Sequence, residues 1–304
     1  MFGFLVLDKP IGPTSRDVVN KVQRLLRPLK VGHAGTLDPL ASGVLVIGVG
    51  SATRLVEYVH RYSKRYEATF LLGTSSDTED ISGQLVEHPD AARPTHAEVV
   101  ELLPAFRGDL MQVPPAFSAL KVAGRRAYSM ARAGEQVELA ARPIKIHTLE
   151  LLEYEYPVLR LAIVCSSGTY VRSLGRDMAQ ALGTEAVMTA LRRTSIGPFT
   201  LAQAVAPGTS SLDDLRLEQL SARLLNPLRA LQELEHIVMP DDLVARLRHG
   251  QTIPVAIEPS ETRQEVIAVD GQRRLLAILG PREPGFWKPS IVFPVDGQAL
   301  YYEA

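Results

Sequence analysis

The segment Gly32-His-Ala-Gly-Thr-Leu-Asp-Pro-Leu-Ala-Ser42-Gly43, running straight into Val44-Leu-Val-Ile-Gly48, constrains this chain more than any other. The apolar run is too short for a helix and too continuous for a half-exposed strand, so it reads as a strand buried on both faces. The stretch before it is rich in Gly and small residues and reads as a tight turn. Pro39 biases the residue before it, Asp38, away from helical backbone. A lone carboxylate on a loop braced by a buried strand is where catalytic acids are found. An ordinary turn aspartate fits the same local pattern.

The rest of the chain reads as a sequence of elements around that strand. Residues 2–7 form a second apolar run. Pro10-Ile-Gly12-Pro13 then turns into a helix, with Thr14 and Asp17 at capping-box spacing. Val18, Val19, Val22, Leu25 and Leu26 make its apolar stripe, with Arg16, Lys21, Arg24, Arg27 and Lys30 off it. A strand is expected over 67–73, then an acidic turn at Asp77–Asp80 and a helix opening at Thr95. Strands over 144–153 and 159–165 precede a helix carrying Leu174, Met178 and Leu182 and stopped by Gly183. A helical connector is expected over 215–234. A helix over 241–249 follows, and then short strands over 266–270, 274–279 and 291–294. That last profile is a small β-rich domain.

Composition narrows the function classes. With 304 residues the chain has room for about two domains. The net charge of −1 gives no global basic field, so any nucleic-acid surface must be local. Residues 118–145 are such a place: six cations (Lys121, Arg125, Arg126, Arg132, Arg142, Lys145) stand against Glu135 and Glu138, a net of +4. Tyr128 lies among them, as in segments that bind nucleic acid. The single cysteine, Cys165, sits in an apolar run and reads as a core residue. Cys/His spacings for metal are absent, and no stretch is apolar for the roughly 18 residues a membrane span needs. No secretory leader is recognisable, so a cytoplasmic protein is expected. Gly48-Val-Gly50 lacks the third glycine and the acid of a dinucleotide site.

Taken together, the motifs resemble one family. Gly32–Leu45 resembles the catalytic motif of the TruB-type tRNA pseudouridine synthases. So do Asp8-Lys9-Pro10-x-Gly12-x-Thr14-Ser15, Lys64-Arg-Tyr66-Glu-Ala, Pro115-x-Phe-Ser118-Ala-Leu-Lys121, Gly168-Thr-Tyr170-Val-Arg172 and Leu191-Arg-Arg193, in the family's order. The tail, with Leu247-Arg-His-Gly250-Gln and Lys288-Pro-Ser-Ile-Val-Phe293, is more loosely similar to a PUA domain, an RNA-binding module.

The resemblance implies an α+β fold: a mixed, largely antiparallel sheet flanked by helices, with a small β-rich PUA-like domain. It implies a catalytic domain over 1–235, a PUA-like domain over 236–304, and an RNA-clasping insertion at about 118–145. It implies isomerisation of uridine 55 in the T loop of tRNA to pseudouridine. The base is flipped out, its glycosidic bond is cut, and it is rejoined through C5. No cofactor or metal takes part. Asp38 matches the essential aspartate. Arg172 matches the arginine facing it, which orients a carboxylate and favours its charged form. Tyr66 matches a tyrosine stacked on the target base, Tyr170 and Leu191 match further pocket walls, and His33 matches a histidine near the flipped nucleotides.

The implied partner is the T stem-loop of tRNA, bound by a monomer with no membrane and no guide RNA. Two alternatives stay open: a tRNA-folding chaperone with dispensable catalysis, and a guide-RNA-directed synthase. A glycoside hydrolase would need a second carboxylate, and no second acid accompanies Asp38 within the Gly32–Leu45 motif. One departure is Arg54, where the family often has Lys; the charge is kept and the contact geometry is in question.

Overall fold

The computed structural model describes residues 2–118, 120–122, 124–135, 138–206, 212–255, 264–294 and 301. Its centre is a nine-stranded mixed sheet. Strand β1 (Gly3–Lys9) pairs antiparallel with β3 (Ser42–Val49), which also carries β2 (Val31–Ala34). β3 meets the Ala186–Ile196 strand through a short parallel contact at Ser42 and Gly43. Beyond it the order runs through β4 (Lys64–Leu72), Val158–Cys165, Arg142–Glu155 and Gly108–Gln112, all antiparallel. The short parallel contact is what lays the loop before β3 beside the strand bearing Leu191.

Local sequence explains the flanking layers. Helix α1 (Ser15–Leu25) is opened by Thr14 and Asp17, which form the expected reciprocal capping box. Its buried face, Val18, Val19 and Val22, packs on Leu5, Leu7, Leu45 and Ile47 of the sheet. The Val171–Ala181 helix buries Leu174, Met178 and Ala179 against β4 and its neighbours. It comes so close that a Cβ on Gly175 would lie 2.1 Å from the Phe70 ring.

The C-terminal part forms a separate five-stranded sheet, ordered Glu235–Val238, Val266–Val269, Leu275–Glu283, Phe286–Val292 and Ile253–Pro254. The Asp241–Arg248 helix packs against it. The other face of this sheet joins the nine-stranded sheet in one core, where Ile267, Val269, Ile278 and Phe293 meet Phe2, Phe4 and Val46. Phe2 and Phe293 stack with centroids 5.7 Å apart. Arg54 donates to the Val292 carbonyl at 2.7 Å and lies over Phe293. The residue that departs from the family pattern therefore fastens the two sheets together.

Two expectations need correction. The 215–234 connector is not one helix but a set of short turns, Leu217–Ala222 and Pro227–Leu231, interrupted at Leu224-Leu225-Asn226. Leu225 exchanges backbone hydrogen bonds with Phe4 in both directions, and Val205 does the same for Val6 and Asp8. An extended backbone here closes the open edge of β1, which a helix could not do. The last two strands are also longer than read and form a hairpin turning at Gly285 (φ +74°). Pro281 and Pro289 interrupted the apolar pattern, but Pro281 lies beside an irregularity in the pairing, where a missing N–H is tolerated.

Gly175→Ala is expected to lower unfolding free energy by about 1–3 kcal/mol through overpacking against Phe70, measured by urea denaturation. Adding Phe70→Leu should recover part of that loss.

Candidate active site

Asp38 sits in the loop between β2 and β3, with its side chain 40% exposed. The loop is gripped from three directions. Lys9 Nζ donates to the carbonyls of Ala41 (2.7 Å) and Pro39 (3.5 Å). Ser15 Oγ donates to Leu37 O at 3.0 Å and accepts from Leu37 N at 2.8 Å. Arg193 donates to the carbonyls of Gly35, Thr36 and Val44. Lys9, Gly43 and Arg193 stand side by side on three neighbouring strands. Gly43, at φ +100°, allows this: a Cβ there would lie 2.2 Å from Arg193 O.

Lys9 and Arg193 are both fully buried. Burial pulls Lys9 down to about 8, opposed by the attraction of Asp38. Lys64, buried and donating to the carbonyls of His60 and Tyr62, is likewise pulled down to about 8 by burial.

Arg172, in the first turn of the Val171–Ala181 helix, brings its Nη2 to 3.0 Å from Asp38 Oδ2. The guanidinium is 6% exposed and also donates to the carbonyls of Thr78 (2.8 Å) and Phe117 (3.1 Å). Its Nε faces a second carboxylate, Asp80, at 3.8 Å. Sequence reasoning treated Asp80 as part of a surface turn and found no second acid; the structure buries it beside Arg172. Thr78 Oγ1 and Ser82 N donate to Asp80 Oδ1 at 2.8 and 2.9 Å, and Ser82 Oγ joins them. The signal was present as hydroxyl residues two positions either side of an aspartate, the pattern of an Asx turn. Next to it, Glu79 accepts from Ser173 and Arg176, and burial pushes its carboxyl above the usual range.

The remaining candidates fall into two groups. Tyr66 on β4 and Leu191 on the adjoining strand pack with Leu37, Leu40 and Ala41 of the Asp38 loop. Burial raises the Tyr66 phenol, opposed by the nearby Arg193 guanidinium. Tyr170 immediately precedes the Arg172 helix, with the Arg142 guanidinium 4.8 Å over its ring. His33 lies on β2 opposite Ile47. Burial, with Arg16 and Arg193 nearby, lowers its pKa, and its Nδ1 is buried with no hydrogen-bond partner among the described residues.

The basic 118–145 segment forms a short hairpin and the Ala127–Arg132 helix. Arg125 pairs with Glu135 at 2.7 Å and Lys145 with Asp109 at 3.6 Å. Cys165 is a core thiol, as expected, pushed up to about 11 by burial. Among the described residues no group of three or more His, Cys, Asp or Glu could hold a metal ion, and no helix is long and apolar enough to cross a membrane.

Comparisons with known proteins agree with this layout. Residues 23–171 match the TruB family pseudouridylate synthase N-terminal domain, and residues 172–244 match the tRNA pseudouridylate synthase B C-terminal domain. The second match is not to a PUA domain. The chain is 42% identical to tRNA pseudouridine synthase B of Arthrobacter sp. over 96% of both proteins. It is 46% identical to that of Rhodopirellula baltica over 77% of this chain and 70% of the relative. Among solved structures, a chain of a Cbf5–Nop10–Gar1 complex superposes with TM-score 0.69 at 26% identity, covering 93% of this chain and 79% of that one. A chain of an archaeal box H/ACA Nop10–Cbf5 complex gives 0.70 at 25%, covering 99% and 89%.

Unfolded lysines hold their protons to about 10.5, whereas Lys9 and Lys64 release theirs near 8. Between those values the unfolded chain binds more protons, so this contribution to stability rises with pH across the window. Denaturant unfolding from pH 7.5 to 10.5 should show wild type gaining on Lys9→Met as pH rises.

Proposed function

Because the chain belongs to the TruB family of pseudouridylate synthases, we propose that it converts uridine 55 in the T loop of tRNA to pseudouridine with Asp38 as the catalytic carboxylate. Its relatives over nearly the whole length are tRNA pseudouridine synthases, and the chain is an enzyme of the isomerase class. The observation that carries the role of Asp38 is its half-exposed carboxylate, fixed at 3.0 Å by a buried arginine on a loop held by buried cations.

The reaction breaks N1–C1′, turns the uracil, forms C5–C1′, releases the C5 proton and protonates N1; substrate and product are isomers, so no oxidant or reductant enters. Arg172 engages Asp38 Oδ2 and leaves Oδ1 without a hydrogen bond among the described residues. A carboxylate so held can act as nucleophile or as base toward the sugar. Base flipping gives it access to the glycosidic carbon. Tyr66, Leu191 and Tyr170 bound the space for the flipped uracil, where stacking on an aromatic ring offsets about 1–3 kcal/mol of lost base stacking. His33 lies near the nucleotides around it. Lys9, Arg172 and Arg193 give the site a positive field suited to RNA phosphate.

The basic 118–145 segment is proposed to clasp the T stem-loop, which favours stand-alone action by a monomer without guide RNA. The catalytic part is proposed to end near residue 235. The segment 236–304, which carries the five-stranded sheet, is proposed as a PUA-like contact to RNA, and the enzyme as cytoplasmic.

With RNA tritiated at uracil C5, wild type should release tritium from tRNA added alone, and Asp38→Asn should be slower by about 10²–10⁴-fold or more. No release by wild type would overturn the activity, and an undiminished Asp38→Asn rate would overturn the role of Asp38. Release only after guide RNA is added would favour the guide-directed alternative. Amide exchange in 118–135 should slow when tRNA binds, and equal exchange would argue against the clasp.

A further inference from the structure

Both limbs of the basic segment spring from one paired position. Gln112 ends its strand, Arg142 begins its own, and the two face each other in register. Each side chain turns to the same stretch, Gly168–Tyr170, just before Arg172. Gln112 is 2% exposed. Its Oε1 accepts from Tyr170 N at 2.9 Å, and its Nε2 donates to Tyr170 O at 3.0 Å. The amide thus imitates one more rung of sheet. Arg142 Nη2 donates to Gly168 O while its guanidinium covers the Tyr170 ring.

Two further bonds reach the outgoing limb. Arg176 Nη2 donates to Val113 O at 2.9 Å, and Arg172 Nη2 donates to Phe117 O at 3.1 Å. The latter nitrogen is the one lying 3.0 Å from Asp38 Oδ2. Any shift of Phe117 therefore acts on a donor that the carboxylate shares.

We propose that Gln112 and Arg142 are positioning residues, a hinge pair through which RNA docking on residues 113–141 sets Tyr170 and Arg172 against Asp38. The inference rests on the tRNA-isomerase reading above. It adds that the insertion does more than grip RNA: its base transmits docking to the reacting carboxylate. Neither residue needs to touch the uridine. A displacement of about 1 Å in a catalytic group can cost about 10²-fold in rate, so a hinge that fixes the group which orients Asp38 governs turnover.

The test uses full-length Gln112→Ala, Arg142→Lys and the double variant with unmodified tRNA transcript. Binding, single-turnover rate at saturating enzyme, and hydrogen exchange at the 170–172 amides with and without tRNA are measured. The proposal expects tRNA affinity within about 2-fold of wild type, with the saturating rate down by about 10–100-fold. It expects the double variant to be no slower than the worse single variant, because both act through one path. Exchange at 170–172 should slow on tRNA binding in wild type and respond less in the variants. Weakened binding with an intact saturating rate would overturn the proposal, leaving the insertion as grip alone. So would an exchange response equal in wild type and variants. The exchange arm reads coupling even if wild type forms no pseudouridine, so the two readings fail separately. Arg142→Lys keeps the charge on a half-buried side chain and carries the test if Gln112→Ala unfolds.

Discussion

Buried cations gripping backbone carbonyls are the constraint on which the rest of the site depends. Lys9 and Arg193 lie in the sheet interior with carbonyl oxygens as their direct partners. Burying an ion costs several kcal/mol unless its donors are satisfied. Here the satisfying groups are the carbonyls of the loop that carries Asp38. The loop cannot relax without stranding two charges, and the charges cannot move without releasing the loop. Gly43 between them is the geometric condition: with a side chain there, the parallel contact between β3 and the Ala186–Ile196 strand could not close. Rigidity of the Asp38 loop is thus paid for in the sheet, not in the loop itself.

Arg172 adds a second asymmetry. It faces two carboxylates in different surroundings. Asp80 is buried, with its Oδ1 accepting from Thr78 and Ser82 and its Oδ2 facing the arginine, whereas Asp38 is open to solvent on one side. Two like groups are thereby given different work by their environments. Asp80 holds the arginine, and the arginine holds Asp38. The satisfied polar network behind the site is what makes the exposed oxygen available.

Much of this was legible in the sequence, for reasons that differ from element to element. The buried strand after Gly43, the capping boxes at Thr14 and Thr95, and the helix stopped at Gly183 follow from local periodicity and capping chemistry, which act over a few residues. The family motifs brought out Asp38, Tyr66, Tyr170, Arg172 and Leu191, though none stood out singly. Asp80 was missed because its partner lies 92 positions away, and a turn acid looks the same whether it faces water or an arginine. Gln112 was missed altogether: nothing near it in the chain signals that its amide will pair with the backbone of Tyr170. The connector over 215–234 was misread because the open edge of β1 outweighed its helical pattern.

The core that joins the two sheets has a consequence for biosynthesis. Phe2 and Phe4 lie at the start of the nine-stranded sheet, yet they share a core with Ile267, Ile278 and Phe293, more than 260 positions later. A chain emerging from the ribosome carries this core incompletely covered until those strands are made. The nine-stranded sheet therefore keeps an unfinished face until those strands arrive, and a chain stopped before them leaves that apolar face exposed. Contacts so far apart in the chain slow folding, because loop closure must precede them.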